Sequence, residues 1–493
     1  MHDTYIAERG DLAPLLGVGA LVAIVLIAFA SGYGPHRDEL YFLAAGEHLA
    51  WSYPDQGPLS PLLAHLMNGL APGSLTALRA PSALMAGGTV FLTGLLAREL
   101  GGRRRAQLIA AACAAVASVI LVTGHLLSTT TFDILAWTLV SWLAVRVQRT
   151  GEAWLWPAAG LVTGLALLNK PLIVFGLAAM GIGLLVAGPR STLRSGWLWA
   201  GLAIALAMWS PWLIWQADHG WPQLEVSSSI ASGGSGSSEP RWAFLPFQLL
   251  LVSPVLAPVW IAGLLALLRR QALRPFAFLA VSWLALAVFF LIAGGKPYYL
   301  AGLFPVLLAA GAMEADGWLE RGSPTLRRWG LGIALATSAL VSAIIALPVL
   351  PRSDVAPVVA VNGDVGETIG WPELVSQVAS VYSGSPGRPV IFTSNYGEAG
   401  AIDRYGPALG LPAAYSGHNG FAYWGPPPDG REPVVVVGLD RDRLAGNFAG
   451  CRLAARVSND SDVDNDERGE PIDLCVHTRR PWSLIWPDLS HLD

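Results

Sequence analysis

The sequence has 493 residues, of which 53% are hydrophobic and only 13% charged, and its formal net charge at pH 7 is −4. With a mean hydropathy of +0.49, a water-soluble domain would expose large apolar surfaces, so that class of protein is excluded. Only hydrogen-bonded helices and closed barrels are stable across a bilayer. Because the apolar runs have the length of membrane helices, the composition predicts a polytopic α-helical membrane protein.

Membrane-length apolar runs follow one another along the first 350 residues. Each comes near the roughly 20 residues that a helix needs to cross the hydrocarbon core. The first run is too long for the apolar region of a signal peptide and lacks a basic flank with a small-residue cleavage site, so we interpret it as a retained helix. We predict about eleven transmembrane helices, at 12–31, 81–97, 106–123, 132–147, 153–168, 171–188, 196–215, 244–268, 275–293, 298–313 and 330–350.

Arginines predict the orientation of these helices because cytoplasmic loops accumulate Lys and Arg. If the N-terminus is inside, the connections on the inner side carry most of the arginines up to residue 350, and few cations remain outside. The asymmetry predicts that the loop at 32–80 and everything beyond 350 lie outside the plasma membrane. Up to residue 350, the cations in the connections on the predicted outer side are Arg37, Arg79, Lys170, Arg241 and Lys296.

The composition changes near residue 350, which divides the chain into two predicted domains. Residues 1–350 form the transmembrane domain, with a long first outer loop at 32–80. Residues 351–493 are polar and rich in Pro, Gly and Asp, and they predict a small soluble α/β domain on the extracytoplasmic side. Its predicted elements are strands at 389–393 and 433–437, a helix at 371–382 and an acidic surface loop at 459–470.

The cysteines and known motifs restrict the function only weakly. Cys113 lies in a predicted helix, whereas Cys451 and Cys475 fall in the outer domain, where the environment is oxidising. Whether those two form a disulfide stays open at this stage. The sequence has no zinc-binding spacing, phosphate loop or dinucleotide fingerprint, which argues against ATP-driven transport.

The first outer loop is long for a connection between helices, and polar residues gather in it. From 38 to 50, apolar residues line one face of a predicted helix whose polar face begins with Asp38, which suits a helix lying along the membrane interface. A turn at 53–59 then aims a second carboxylate toward the same region. The loop thereby contributes the candidate substrate-binding residues His48, Asp55 and Gln56.

The loop also carries a family resemblance. Asp38-Glu39 directly follows the first helix, and Asp55-x-x-Pro58-Leu59 follows on the same loop. With the many helices and the outer domain, this pattern resembles the membrane-embedded GT-C glycosyltransferases, in particular the protein O-mannosyltransferases and the lipid A aminoarabinose transferases. The segment at 295–300 is similar to a later outer loop of these enzymes. The resemblance covers most of the membrane portion and implies a GT-C-like fold.

The resemblance implicates the first-loop aspartate, here Asp38, in catalysis, with Glu39 beside it. One departure concerns metal binding, because the family often has His-Pro-Pro where this chain has Gln56-Gly57-Pro58. The role of that histidine, and of an ion that it would help to hold, does not carry over. A divalent cation, Mg²⁺ or Mn²⁺, therefore stays open as a cofactor, and its ligands are unknown.

The chemistry of sugar transfer assigns roles to these residues independently of the family resemblance. Transfer of a sugar from a polyprenyl phosphate needs a base for the acceptor's proton, cations for the departing phosphate and a dry cleft that reaches the lipid. Asp38 can supply the base, and no general acid is required because a phosphate already leaves well. We therefore predict a single displacement with inversion at the sugar.

The cations that would face the phosphate include the only two lysines that we find. Lys170 and Lys296 each precede a proline at a predicted outer helix end, on the side normally depleted of positive charge. Snorkelling at the interface is the structural alternative, but the placement favours phosphate binding by a compact charge. The candidate phosphate-binding residues are Lys296, Arg79, Lys170 and Arg241.

Other side chains at the outer helix ends complete the candidate substrate site. Asp133 either lines the cleft or caps a helix, and Tyr298 and Tyr299 either contact the sugar or lipid or belong to an aromatic belt. In the outer domain, the polar segments 395–398 and 415–419 are candidates for acceptor binding, with ordinary loop structure as the alternative.

The sequence thus predicts a multi-pass glycosyltransferase of the plasma membrane, with a polyprenyl-phosphate sugar donor and an acceptor glycan, lipid or protein on the outer face. No nucleic-acid partner is expected. A transporter or flippase of lipid-linked sugars is the alternative, but it predicts repeated halves and charges near the bilayer midplane. A membrane anchor for an outer binding domain predicts few polar residues between the helices, contrary to the first loop. No local motif identifies the sugar.

Overall fold

The computed structural model describes residues 12–234, 240–321 and 323–493. The N-terminus, which we predict to lie inside, is outside the described residues. The described chain divides into two compact units, a first one of 12–30, Arg79–Trp215 and Ile230–Leu347, and a second one of Ser31–Leu78, Gln216–Ser229 and Pro348–Asp493. The first outer loop therefore belongs to the same compact unit as the C-terminal region. The boundary near residue 350 between a transmembrane and a soluble domain stays a prediction.

Helices dominate the chain up to residue 346. They begin and end as follows: α1 Ala13–Phe29, α2 Arg37–Gly46, α3 Leu59–Leu70, α4 Leu75–Glu99, α5 Arg104–Ala115, α6 Ser118–His125, α7 Thr129–Thr150, α8 Trp156–Leu167, α9 Ile173–Val186, α10 Gly196–Asp218, α11 Pro222–Ser232, α12 Phe244–Val252, α13 Ala257–Arg269, α14 Ala277–Ala293, α15 Phe304–Glu320 and α16 Pro324–Ala346.

Every predicted span coincides with a helix or a bent helix pair, but the count of eleven membrane crossings is not confirmed. Within the described residues, 6 helices are long and apolar enough to cross a bilayer, or up to 8 if two bent pairs each count as one span. The pair α5 and α6 bends by 54°, and the pair that ends in α13 bends by 85°. Helix α1 has 17 residues, which corresponds to about 26 Å against a hydrocarbon core of about 30 Å.

Arginines of the predicted inner connections pair with acidic residues at the helix ends of the first unit. The buried carboxylate of Glu99 accepts hydrogen bonds from Arg149 Nε at 2.5 Å and from Arg146 Nη1 at 3.4 Å. Asp316, also buried, pairs with Arg105. A buried carboxylate left without a partner is strongly destabilising, so these pairs stabilise the positions of the helix ends.

Helices α13 and α15 pack closely through glycines. A Cβ atom at Gly263 would lie 1.9 Å from the carbonyl oxygen of Leu307, and one at Gly311 would lie 1.9 Å from the carbonyl oxygen of Val259. Small residues at such crossings let backbones approach where lipid supplies no hydrophobic driving force between helices. Any larger side chain at either glycine would force the two helices apart.

The C-terminal region combines short helices with a sheet. Its elements are α17 Ala356–Val359, α18 Trp371–Ser383, β1 Val390–Thr393, α19 Tyr396–Tyr405, β2 Tyr415–Ser416, α20 Gly420–Trp424, β3 Val434–Val437, α21 Arg441–Asn447, β4 Phe448–Ala449, β5 Arg452–Arg456, β6 Pro471–Cys475, β7 His477–Thr478 and α22 Trp482–Leu489. Both strands and the helix predicted for this region are present, as β1, β3 and α18.

The sheet has five strands in the order β2-β1-β3-β6-β5. Strand β1 runs parallel to β2 and β3, whereas β6 runs antiparallel to β3 and β5. All residues of β1 and β3 are buried, as their uninterrupted apolar sequences predict for strands covered on both faces. Cys451 and Cys475 form a disulfide, which answers the question that the sequence left open, and Cys113 is a buried free thiol.

Candidate active site

The candidate catalytic aspartate lies on the first turn of α2, and the residues around it determine where that helix begins. The His36 side chain accepts a hydrogen bond from the Asp38 N–H at 3.1 Å, and the Glu39 carboxylate accepts one from the His36 N–H at 2.8 Å. This reciprocal arrangement is a capping box. Glu39 is fully buried, so its carboxylate stabilises the helix start.

Asp38 is held by a tyrosine that lies far away in the sequence. Its Oδ1 accepts a hydrogen bond at 2.9 Å from the hydroxyl of Tyr396, the first residue of α19. Burial, and next the nearby Asp38, raise the pKa of Tyr396 well above its usual value, so the hydroxyl keeps its proton and donates. The positive end of α2 and this hydroxyl stabilise the ionised carboxylate and orient it.

Arg37 lies within a cluster of charges at the start of α2. Its Nη1 lies 2.7 Å from Asp466 Oδ2 and 3.8 Å from Glu367 Oε2. The guanidinium carbon is 5.1 Å from the centre of the Tyr396 ring, within the range of a cation–π contact. The acidic loop at 459–470, predicted to be only a surface loop, therefore also anchors α2 through Asp466.

Two buried carboxylates, Glu398 and Glu467, and the partly buried Glu367 interact electrostatically with Arg37. Burial is the largest cause that raises the pKa of Glu367 to about 8, and it raises the pKa of Glu398 and of Glu467 to about 7. Neither carboxylate oxygen of Glu467 has a hydrogen-bond partner within the described residues. These groups therefore favour the protonated, neutral form in the folded protein.

The second unit should lose stability as the pH rises from about 4.5, the ordinary pKa of a glutamate, to about 7 to 8, and should change little from this cause above that range. Between the ordinary pKa of a glutamate and the raised one, the folded state holds a proton that the unfolded chain has released. Each such proton lowers the free energy of unfolding by about 1.4 kcal/mol per pH unit gained. Amide hydrogen exchange of segment 459–470, corrected for the intrinsic pH dependence of exchange, measures this loss.

Glu467→Gln removes one of these titrations and should flatten the pH dependence of local stability in that segment. Asp464→Asn is the matched control because Asp464 is exposed on the same loop, and its slope should equal that of the parent. An unchanged slope in Glu467→Gln would show that Glu467 is ionised in the folded protein, contrary to its raised pKa.

A second tyrosine links the two carboxylates of the first loop into one network. The Tyr41 hydroxyl donates to Asp55 Oδ1 at 2.7 Å and accepts a hydrogen bond from the Gly420 N–H at 3.0 Å. Its ring stacks on that of Tyr396, with centroids 4.7 Å apart. Asp38 and Asp55 are therefore each held by one member of a stacked tyrosine pair.

The other first-loop candidates differ in their surroundings. Gln56 is 4% exposed, and neither polar atom of its amide makes a hydrogen bond of normal geometry within the described residues. Such buried, unsatisfied polar atoms are rare and point to a ligand or water. The exposed imidazole of His48 stacks on Trp424 at the end of α20, with centroids 4.3 Å apart.

In the first unit, Asp133 is buried inside α7 and does not cap that helix. The capping residue is Ser128, whose hydroxyl accepts a hydrogen bond from the Thr130 N–H at 3.1 Å, so the capping alternative for Asp133 is wrong. Asp133 Oδ1 accepts a hydrogen bond from Asn169 Nδ2 at 3.3 Å. Its Oδ2 is buried without a hydrogen-bond partner within the described residues.

Lys170, which follows Asn169 in the chain, lies over the two predicted aromatic residues. Its Nζ is 5.1 Å from the centre of the Tyr299 ring and 5.8 Å from that of Tyr298, a cation–π arrangement. Lys296 immediately precedes the short 3₁₀-helix that carries both tyrosines. The structure thus brings Lys170 to the segment that Lys296 begins.

The two candidate arginines have different environments. Arg79 is 1% exposed, and its Nη1 donates to the carbonyl oxygen of Ala30 at 2.8 Å, where it binds the C-terminal end of α1. Arg241 is exposed and begins a short 3₁₀-helix. The geometry of Arg79 explains its burial through a contact within the fold, and its role at a phosphate stays a prediction.

The first-loop carboxylates do not resemble a ready metal site. Asp38 and Asp55 each accept a hydrogen bond from a tyrosine, and Glu39 binds the start of its own helix. Within the described part of the chain, none of them belongs to a group of three side chains with metal-ligand atoms close together. A divalent cation at this site stays open, as the sequence left it, and no catalytic step is assigned to it.

Sequence reasoning did not single out Tyr396 as a partner of Asp38. It marked 395–398 only as an acceptor-binding candidate or a loop. The pattern Asn395-x-x-Glu398 is a capping-box signal and forms one in the structure, so the start of α19 was open to prediction. No local pattern, however, connects residue 396 with residue 38.

Comparisons with known proteins agree with this architecture. Residues 55–215, about a third of the chain, match the family model described as dolichyl-phosphate-mannose-protein mannosyltransferase. The crystal structure of ArnT from Cupriavidus metallidurans bound to undecaprenyl phosphate is similar over 94% of this chain and 97% of that one, with a TM-score of 0.63 at 16% identity. This chain has the GT-C fold. The resemblance predicted from the first loop is thereby confirmed.

Two further solved structures are similar to this chain. The apo form of the same ArnT is similar over the same shares of both chains, with a TM-score of 0.61 at 17% identity. The oligosaccharyltransferase of Archaeoglobus fulgidus, tethered to an acceptor peptide, has a TM-score of 0.49 at 14% identity, over 83% of this chain and 64% of that one. A search of the curated proteins found no match.

Proposed function

We propose that this protein is an integral membrane glycosyltransferase that transfers a sugar from a polyprenyl-phosphate donor to an acceptor on the outer face of the plasma membrane. The observation that carries the proposal is the match of residues 55–215 to a family model named for mannosyl transfer from dolichyl phosphate. The ArnT structure with bound undecaprenyl phosphate supports a lipid phosphate of this class as the leaving group.

In the proposed reaction Asp38 acts as general base. It takes the proton of the acceptor's nucleophilic group while that group forms a bond to the anomeric carbon of the sugar. The bond between the anomeric carbon and the phosphate oxygen breaks in the same step, so the configuration inverts and a polyprenyl phosphate leaves. The hydrogen bond from Tyr396 supports this role because it orients the carboxylate.

Lys296 and Lys170 are the proposed partners of the donor phosphate, with Arg241 and Arg79 as further candidates. Lysine provides a compact positive charge for phosphate. The Lys170 ammonium lies over the rings of Tyr298 and Tyr299. These contacts hold it beside the segment that Lys296 begins. Asp55, Gln56, His48 and Asp133 are proposed to contact the sugar or the acceptor.

A transfer assay with the full chain in lipid nanodiscs tests the function. Polyprenyl phosphates that carry radiolabelled mannose, glucose or aminoarabinose are supplied together with a mixture of envelope lipids and glycans. We expect one donor to lose its sugar to an acceptor and to yield free polyprenyl phosphate. In vesicles, movement of an intact lipid-linked sugar between the leaflets, without cleavage of any donor, would instead support the flippase alternative.

Tyr396→Phe should lower kcat by about tenfold, the value of one hydrogen bond to a charged group of about 1.5 kcal/mol. The acid limb of the pH profile should also move to higher pH, because the carboxylate loses a donor that favours its ionised form. Tyr382→Phe on α18 is the control and should keep the parent profile. A tenfold loss without a shift of the acid limb would mean that Tyr396 acts only on packing.

A further inference from the structure

Two histidines of the second unit are held side by side by their backbones. His418 and His491 are partners in an isolated parallel β-bridge. The His491 N–H donates to the Gly417 carbonyl at 2.9 Å, and the Asn419 N–H donates to the His491 carbonyl at 3.1 Å. The two imidazole rings stack with centroids 4.4 Å apart. Their relative position is therefore determined by the main chain before any ligand binds.

An aspartate completes the cluster. Asp493 Oδ1 lies 2.6 Å from His418 Nε2. The Asn419 side chain holds the backbone of Asp493, since its Nδ2 donates to the Asp493 carbonyl and its Oδ1 accepts from the Asp493 N–H, each at 3.3 Å. One ligand atom from each of His418, His491 and Asp493 lies within 4.8 Å of the other two.

The burial of His418 is the observation that points beyond a simple ion pair. The residue is 3% exposed, and its Nδ1 is buried without a hydrogen-bond partner within the described residues. Buried polar atoms are nearly always bonded. Because Nε2 faces Asp493 and Nδ1 lies on the other side of the ring, the imidazole keeps a nitrogen capable of coordination that the ion pair does not use.

The backbone around His418 and His491 lets their two segments come close together. A Cβ atom at Gly417 would lie 2.1 Å from the Leu489 carbonyl oxygen, so only glycine lets the two segments come together. Asn419 has a φ of 48°, a conformation that costs energy for most residues and that asparagine tolerates better. Local strain of this kind clusters at functional sites.

We propose that His418, His491 and Asp493 form a binding site for a divalent transition-metal ion, with Zn²⁺ as the best match. Two imidazole nitrogens and one carboxylate oxygen suit Zn²⁺, and three protein ligands leave a position for water. Ligand bonds of about 2.0–2.2 Å place ligand atoms no more than about 4.4 Å apart. His418 Nε2 and Asp493 Oδ1, now 2.6 Å apart, would have to separate to about 3.3 Å to share one ion at these bond lengths.

The ionisation of the cluster is compatible with metal binding. Burial lowers the pKa of His418, and burial together with the neighbouring His418 lowers that of His491 to about 4. Both imidazoles are therefore neutral near pH 7, and neutral imidazole is the form that coordinates metals. Burial opposes the ionised form of Asp493, but its hydrogen bond with His418 lowers its pKa below the usual value.

The site goes beyond the proposed function and does not rest on it. The His418 ring packs against that of Tyr396, with centroids 4.6 Å apart. A bound ion would therefore stiffen the side of the tyrosine that donates to Asp38. Metal binding also stabilises the folded state by mass action, because the cluster exists only when the second unit is folded.

Zn²⁺ binding to the purified full chain, after treatment with chelator, tests the proposal by competition with a chromophoric chelator. We expect the parent to bind about one equivalent, and His491→Gln and Asp493→Asn each to weaken that binding by at least about 100-fold. His477→Gln is the control, since His477 is an exposed histidine of β7, and it should bind as the parent does. Co²⁺ substitution should give visible bands in the parent and weaker or shifted ones in both variants.

Unchanged Zn²⁺ affinity in both His491→Gln and Asp493→Asn would overturn the proposal, as would the absence of Zn²⁺ binding by the parent. In either case the cluster is an ion pair with a stacked neighbour and nothing more. Because these two side chains are partly exposed, both variants should fold. Hydrogen exchange of β1 and β3 verifies that they do, and loss of transfer activity has no part in the readout.

Discussion

Asp38→Asn is expected to lower kcat for sugar transfer by about 10³-fold, within the range that a general base contributes. Asparagine keeps the size of the side chain and an oxygen that can accept the Tyr396 hydrogen bond, but it cannot take a proton at neutral pH. The capping box of His36 and Glu39 does not involve the Asp38 side chain, so the variant should fold. Initial rates at saturating donor in nanodiscs measure the effect.

Two variants on the same helix separate chemistry from structure. Glu47→Gln changes an exposed carboxylate at the other end of α2 and should transfer sugar at the parent rate. Glu39→Gln weakens the capping box and should cost about 1 kcal/mol of stability, with kcat close to that of the parent. Parent-like transfer by a folded Asp38→Asn variant would refute the proposed base. A loss of kcat in Glu39→Gln as large as that in Asp38→Asn would show that Glu39 also takes part in catalysis.

Lys296→Gln should lower kcat/KM for the polyprenyl-phosphate donor by about 10- to 100-fold, because it removes a charged hydrogen-bond donor worth about 1.5–3 kcal/mol. Glutamine keeps a polar chain but has no charge, whereas Lys296→Arg should recover part of the loss. The proposed role concerns the phosphate, so the loss should be similar for donors with different sugars. Donor titrations at a fixed acceptor concentration measure it.

Arg274→Gln is the matched control for this charge change. Arg274 is exposed and belongs to a predicted inner connection, so donor kinetics should not change. Lys170→Gln is a second test, since Lys170 lies over the tyrosines that follow Lys296. This variant should also lower kcat/KM for the polyprenyl-phosphate donor. If Lys296→Gln alters acceptor KM and leaves donor kinetics untouched, the assignment of Lys296 to the phosphate is wrong.

Much of the fold could be predicted because its signals are local. Apolar runs correctly predicted a helix at every proposed span, and an uninterrupted run of valines correctly predicted β3. The first-loop helix was predicted at 38–50 and found at Arg37–Gly46, but the neighbouring helix Leu59–Leu70 was missed. The count of eleven crossings is not confirmed, because an apolar run of membrane length can form a shorter or bent helix within a folded bundle.

Local sequence patterns were enough to predict the membrane class, the positions of the helices and a carboxylate at the first turn of α2, since hydropathy and capping depend on residues only a few positions apart. The tertiary structure alone decided that Tyr396 binds Asp38, that Asp466 pairs with Arg37, and that His418 meets His491. These contacts join residues tens to hundreds of positions apart. Their partners are selected by the packing of whole elements, which no local periodicity encodes.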